Sequence, residues 1–380
     1  MPTLALLGAR LFTGERFLDD HAVLLAGGRI AGVVPIAELP ADLPREALSG
    51  GVLAPGFVDA QVNGGGGVLF NATPEVPALA RMAAAHARHG TTAMLPTFIT
   101  DTPAHMRRAI EAARAAIAAG TPGIAGLHLE GPFISLARKG AHDSALIRPL
   151  TEADVAQLLA IGIAPLVLTV AAEAAPAPLI RRLAEGGVIV SLGHSDASYD
   201  AAMTAAEAGA RGITHLFNAM SQLEHRGPGM VGAALDHGGL WVGMIADGIH
   251  VHPVALRTAL RAKRGPARLF LITDAMPLAG SDEDVFELNG RRVTRRNGRL
   301  TLEDGTLAGS DLTMDAAVAF AVRNLGVPLE EALRMASLYP AAFLRLSDRG
   351  RIAPGCRADL VHLDDALAVR RVWIGGRVVG

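Results

Sequence analysis

Across residues 56–275, short apolar runs alternate with longer Ala-rich stretches whose apolar residues recur at helical spacing. A period that switches between strand-like and helix-like in this way predicts βα units wound around a parallel sheet. The apolar runs predict eight strands, at 56–63, 92–99, 126–130, 165–170, 187–194, 213–217, 240–247 and 268–274. Helices are predicted between them at 77–89, 103–119, 152–161, 177–185, 199–208 and 253–263, with His252-Pro253 opening the last. Eight strands in roughly 220 residues fit a (β/α)8 TIM-like barrel better than an open doubly wound sheet. Neither a G-x-G-x-x-G nor a Walker motif follows the first strand, which also disfavours the open sheet.

The two ends carry a different pattern. Residues 3–51 and 359–379 consist of short alternating stretches broken by turn signals such as Gly27-Gly28 and Gly375-Gly376. Strands at both ends of a barrel chain most simply meet as one small β domain. The division is therefore 1–53 with 348–380 for the β domain and 54–347 for the barrel. A hairpin is expected at 285–302, with turns at Asn289-Gly290 and Asn297-Gly298, inserted after the eighth strand and near the barrel mouth. Helical patterns at 313–325 and 329–338 close the barrel.

With 50% hydrophobic residues in 380, the chain can bury one large core and a smaller one. Its 35 basic and 37 acidic residues give a formal net charge of −2, without the broad positive field that nucleic acid or an anionic membrane surface would require. Cys356 is the single cysteine, which rules out an intramolecular disulfide and a thiolate metal cluster and favours a reducing cytoplasm. No apolar run approaches a membrane span.

Polar groups at the C-terminal ends of barrel strands have a functional prior that mid-strand groups lack. Glu130 ends the third predicted strand before a Gly-Pro turn, and His194 and His215 end the fifth and sixth. Singly, each has an ordinary structural role open to it, such as a helix cap or a satisfied core histidine. Together they make a His₂-carboxylate set that leaves a coordination position open for water on a catalytic divalent ion. Zn²⁺, Fe²⁺, Mn²⁺ and Co²⁺ all suit such a set. Water activated by a metal still needs a base, and Asp274 at the end of the eighth strand is the candidate. His128 shares a strand face with Glu130 and either orients a ligand or packs in the core. Asp247 and His250 follow the seventh strand, where they can contact substrate. Arg138, Lys139, His142 and Arg148 in the third loop, and His225 and Arg226 in the sixth, are surface cations or anchors for an anionic group. The first strand carries Gln61-Val62-Asn63 rather than a His pair able to hold a second ion, and no lysine that could bridge two ions ends the fourth strand. One metal is expected.

These motifs occur in a set order: PGFVDAQVNGGGG, LHLEGPF, KGAH, SLGHSDA, THLFNAM, R-x-P-G, IADGIHV, LITDAM, TLAGSDLTM, SLYPA and GCRADLV. Over nearly its whole length the chain resembles the N-acetylglucosamine-6-phosphate deacetylases of the amidohydrolase superfamily. The resemblance implies a TIM-like barrel with a β-sandwich built from both termini, and hydrolysis of the acetamide of N-acetylglucosamine 6-phosphate. It further implies that Glu130, His194 and His215 bind one divalent metal per subunit, with zinc the first candidate. Asp274 would serve as base and then acid, and His142 would contact substrate and stabilise the oxyanion. Ala141, Asn218, Ala219, Arg226, Asp247, His250, Leu307, Ala308 and Gly309 would line or hold the sugar phosphate. A homodimer is implied, with His225 or Arg226 reaching the partner's active site. Gly227 and the Ala171-Ala172-Glu173 stretch depart from the family pattern, and neither replaces a proposed ligand.

Overall fold

The structure is a computed structural model that describes residues 1–288 and 290–379. Its centre is a parallel eight-stranded sheet: β1 (Phe57–Val62), β2 (Thr91–Ile99), β3 (Leu127–Glu130), β4 (Leu166–Val170), β5 (Ile189–Leu192), β6 (Gly212–Ile213), β7 (Trp241–Ile245) and β8 (Leu269–Ile272). Neighbours in sequence are neighbours in the sheet, from β1 to β8. The ring closes through a parallel bridge between Val62 and Ala275, with Asp274 N–H donating to the Gln61 carbonyl at 3.0 Å. This is the expected (β/α)8 barrel.

The strands are nearly continuous apolar runs because helices cover the outside of the sheet and side chains fill the inside. Local signals set the helix starts. Thr102 caps Pro103–Ala118 by accepting from His105 N–H, Ser198 caps Tyr199–Glu207, and Thr151 with Asp154 forms a capping box on Glu152–Leu159. His252 caps Pro253–Ala262 through its ring, as the His-Pro pair suggested.

Three expected strands end early. The runs 187–194, 213–217 and 268–274 were read through His194, His215 and Asp274, but their ladders stop at Leu192, Ile213 and Ile272. Each of the three side chains stands two residues beyond, on backbone with positive φ: 47° at His194, 35° at His215 and 52° at Asp274. A left-handed residue cannot continue a strand, and apolar periodicity cannot register that turn.

The termini meet as expected. A four-stranded sheet has the order Arg29–Pro35, His21–Ala26, Leu4–Leu7, Arg45–Ala47. In a six-stranded sheet, Val52–Pro55 pairs in parallel with Arg10–Phe12 and antiparallel with Leu360–Leu363, which joins both ends of the chain. Leu6, Leu11, Val23, Leu25, Leu53, Leu360 and Trp373 pack into one core from strands of both sheets. At its edge Asp359, 5% exposed, pairs with Arg349 and Arg357 and accepts the Gly375 N–H at 2.7 Å. Removing one partner of a buried pair strands the other charge. Asp359→Ala is therefore expected to cost about 3–5 kcal/mol, read as a lower urea midpoint at unchanged slope.

The insert after β8 is larger than a hairpin. Val285–Leu288, Arg291–Arg296, Arg299–Thr301 and Leu307–Ser310 form a four-stranded antiparallel sheet. Asn297 and Gly298 make the expected turn with positive φ, while the other expected turn includes Asn289, outside the described residues. Leu288, Val293, Leu300, Leu302 and Ala308 pack on Leu69, Ile99, Met276 and Leu278, which seats the insert over the barrel mouth. Among the described residues no helix is long and apolar enough to cross a membrane.

Candidate active site

At the C-terminal ends of the strands lies a cavity of about 300 Å³. Glu130, last residue of β3, is 2% exposed. Its Oε1 lies 3.1 Å from His215 Nε2 and 3.3 Å from His194 Nε2, and the two Nε2 atoms are 3.0 Å apart. Ligand atoms about 2.0–2.1 Å from a tetrahedral zinc stand about 3.3 Å from one another, so the observed spacings fit a single ion. The donor set fits as well. His194 Nδ1 faces the Arg138 carbonyl at 2.8 Å, which holds a proton on Nδ1 and turns the Nε2 lone pair inward. The Nδ1 of His215 has no hydrogen-bond partner among the described residues. A buried carboxylate and two imidazole nitrogens converging on one point suit a bound cation. Among the described residues, these three form one cluster of His, Asp and Glu able to hold a metal ion.

The left-handed backbone at His194 and His215 costs of order 1 kcal/mol per residue and is concentrated where it aims ligands. Glu173 steadies the same loop by accepting from Ser195 Oγ at 2.5 Å and from Asp196 N–H at 2.7 Å. Below Glu130, His128 is held by Thr97 Oγ1 at 3.2 Å and Thr169 Oγ1 at 2.8 Å, and Thr169 continues through Thr214 to Ser191. Burial lowers the His128 pKa to about 4. Both its ring nitrogens are engaged, so His128 is a satisfied core histidine.

Asp274 lines the cavity with the triad. Burial, with the Glu130 carboxylate next in weight, pushes its pKa up. His142 comes from the third loop, its ring centroid 4.5 Å from that of His194 and its Nδ1 2.7 Å from Thr100 Oγ1. Burial, reinforced by His194, brings the His142 pKa down to about 3, so the ring is neutral at pH 7. Gly131, at φ 83°, makes room for Thr100: a β-carbon there would collide with the threonine hydroxyl.

Ala141, Asn218, Ala219, His250, Leu307, Ala308 and Gly309 all line the cavity with the triad, His142 and Asp274. Asp247 does not. Its Oδ2 is 2.6 Å from His250 Nδ1, and its Oδ1 accepts the N–H groups of Ile249 and His250, so its carboxylate fixes His250. Arg226 and His225 are exposed, away from the cavity, and without a hydrogen bond or ion pair among the described residues. Arg138 is taken up by Asp196, and Arg148 by a bidentate pair with Asp154 at 2.6 Å.

The amidohydrolase family model matches residues 52–379, and the NagA composite domain model matches residues 4–53. The chain belongs to the amidohydrolase family. It is 42% identical to an N-acetylgalactosamine-6-phosphate deacetylase of Shewanella sp. (strain ANA-3), over 98% of this chain and 95% of that protein. It is 39% identical to the N-acetylglucosamine-6-phosphate deacetylase of Homo sapiens, over 96% of this chain and 90% of the relative. Among solved structures, the N-acetylglucosamine-6-phosphate deacetylase from Pasteurella multocida superposes with a TM-score of 0.95 at 36% identity, covering 99% of both chains.

Several wall residues of this amidohydrolase escaped the sequence reading. Ile99, Met276 and Leu288 are apolar members of strand or loop patterns and carry no chemical signature. Asn63, also in the wall, was read with Gln61 only for the histidines absent there, although Asp59, Gln61 and Asn63 are three polar residues at period two in an otherwise apolar strand.

Proposed function

We propose that the chain is a metal-dependent deacetylase that hydrolyses the acetamide of N-acetyl-D-glucosamine 6-phosphate to D-glucosamine 6-phosphate and acetate. The observation that carries this reading is the convergence of Glu130, His194 and His215 with Asp274 in one cavity at the barrel mouth. Glu130, His194 and His215 would hold a divalent cation, which would supply Lewis acidity to the acetamide oxygen and acidify water. Zn²⁺, one per subunit, is the first candidate, and Fe²⁺, Mn²⁺ and Co²⁺ suit the same ligands.

The remaining steps belong to the chain's own side chains. Asp274 takes the proton of the attacking water and returns it to the leaving nitrogen, which departs as the amine. His142 is neutral, with Nδ1 2.7 Å from the Thr100 hydroxyl; in the tautomer that carries its proton on Nε2, with Nδ1 accepting from Thr100, it donates to the carbonyl oxygen. Ala141, Asn218, Ala219, His250 and Leu307–Gly309 hold the sugar, with Asp247 steadying His250. Arg226, or His225 beside it, reaches the phosphate in the partner's active site of a homodimer. The exposed Leu136, Leu223 and Val254, on the third, sixth and seventh strand-end segments, support an interface at this face. The β domain comprises 1–53 with 348–380 and the barrel 54–347, in a cytoplasmic enzyme of amino-sugar catabolism or recycling.

One observation favours the galacto epimer as a second reading: two relatives, at 42% and 38% identity, are named N-acetylgalactosamine-6-phosphate deacetylases. The test is acetate release from both epimers and from unphosphorylated N-acetylglucosamine, on protein of known metal content. Faster release from the galacto epimer selects the second reading, and none from any substrate overturns both. Arg226→Ala is expected to lower kcat/KM for the phosphorylated sugar about tenfold or more, mainly through KM, with little effect on an unphosphorylated analogue.

A further inference from the structure

The row Asp59, Gln61 and Asn63 lies on one face of β1 by the two-residue period of a strand and meets the segment Thr273-Asp274 across the closing seam of the barrel. Asp59 is fully buried and accepts the Thr273 hydroxyl at 2.6 Å. Gln61 Nε2 has two hydrogens and two acceptors: Glu130 Oε1 at 3.0 Å and Asp274 Oδ1 at 3.0 Å. Asn63 Nδ2 donates to the same Asp274 Oδ1 at 2.7 Å. Thus one oxygen of Asp274 takes two N–H bonds, and the other takes none among the described residues.

The cost of this arrangement points the same way. Asn63 is 3% exposed and its Oδ1 is buried with no partner among the described residues. Burying an unmatched carbonyl is unfavourable, and a leucine would fill similar space without it. The amide is retained for its donor. Its orientation is fixed by chemistry, since an ionised carboxylate only accepts.

We propose that Gln61 and Asn63 are positioning residues for the reaction: their amide N–H groups clamp Oδ1 of Asp274, Gln61 also ties it to the metal carboxylate Glu130, and Oδ2 is thereby aimed into the cavity for proton transfer. The clamp holds the two carboxylates at a fixed separation without adding charge. This inference rests on the deacetylase reading.

The test is a double-mutant cycle between Asn63 and Asp274, with acetate release as the rate and metal content measured on each protein. Asn63→Leu is expected to lower kcat about 100-fold, with KM within about threefold and metal content unchanged. In an Asp274→Ala background the same substitution is expected to cost less than about threefold, because the group it positions is gone. Asn63→Ser, which restores a small donor, is expected to recover part of the kcat loss of Asn63→Leu. An equal cost in both backgrounds, or a loss that follows the metal content, overturns the inference. Thermal melts of each variant separate misfolding from loss of the clamp. A parent protein that releases no acetate overturns the deacetylase reading itself, so the two failures are distinguishable.

Discussion

Asp274→Asn is expected to lower turnover by about 10³-fold while leaving metal content and sugar-phosphate binding close to those of the parent. The substitution keeps the shape of the side chain and removes its ability to take a proton. Asp274 makes no bond with the triad's histidines, so the ion's ligands stay in place. Burial, and after it the Glu130 carboxylate, push its pKa up. A cation held by the triad offsets the Glu130 contribution. A base tuned upward takes a proton from water more readily than an ordinary aspartate would, and the leaving amine, a stronger base still, then takes it from the carboxyl. The check is kcat and KM on metal-quantified protein, together with calorimetric binding of the substrate. Turnover within tenfold of the parent would sink the proton-transfer role, and loss of the metal would move Asp274 into the ligand set.

His194→Ala should remove the metal itself. Three protein ligands leave a catalytic ion one open position, and two protein ligands hold it far more weakly. We expect metal content to fall from about one ion per chain to a small fraction of that, with turnover falling in parallel. Metal binding also stabilises the folded chain by mass action, by about 2.7 kcal/mol at a hundredfold excess over Kd. A chelator should therefore lower the melting temperature of the parent protein and leave that of His194→Ala unchanged. If the variant kept its metal and its chelator-sensitive melt, the triad would not be the site.

Much of the site was legible because barrel strands present their C-terminal ends to one mouth. Once eight runs were counted, Glu130, His194, His215 and Asp274 could be placed together without knowing any distance. The exceptions have physical causes. Asp247 was read as a substrate contact from its loop position, but a short Asp-x-x-His spacing lets a carboxylate close on its own histidine, as it does on His250. His128 stood open between two roles because two-residue periodicity says which face a side chain shares and not what fills the far side. Thr97 and Thr169, from the neighbouring strands, decided it. Gln61 and Asn63 were noticed for the histidines they replace, whereas their partner Asp274 lies more than 200 residues away.

The sequence by itself determined the period of each segment, the order of the strands, the β character of both termini and the chemical kinds of groups at the strand ends. Those properties are local, set by backbone propensity and by which face of an element is apolar. Only the tertiary structure decided where the ladders stop, with His194, His215 and Asp274 each turning left-handed two residues past a strand. It also decided that Arg226 stands outside its own chain's cavity and that the insert after β8 builds part of the wall. Such outcomes follow from closing the ring between β1 and β8 and from packing the insert on Leu69, Ile99 and Met276. They depend on atoms brought together from distant parts of the chain, which no local pattern encodes.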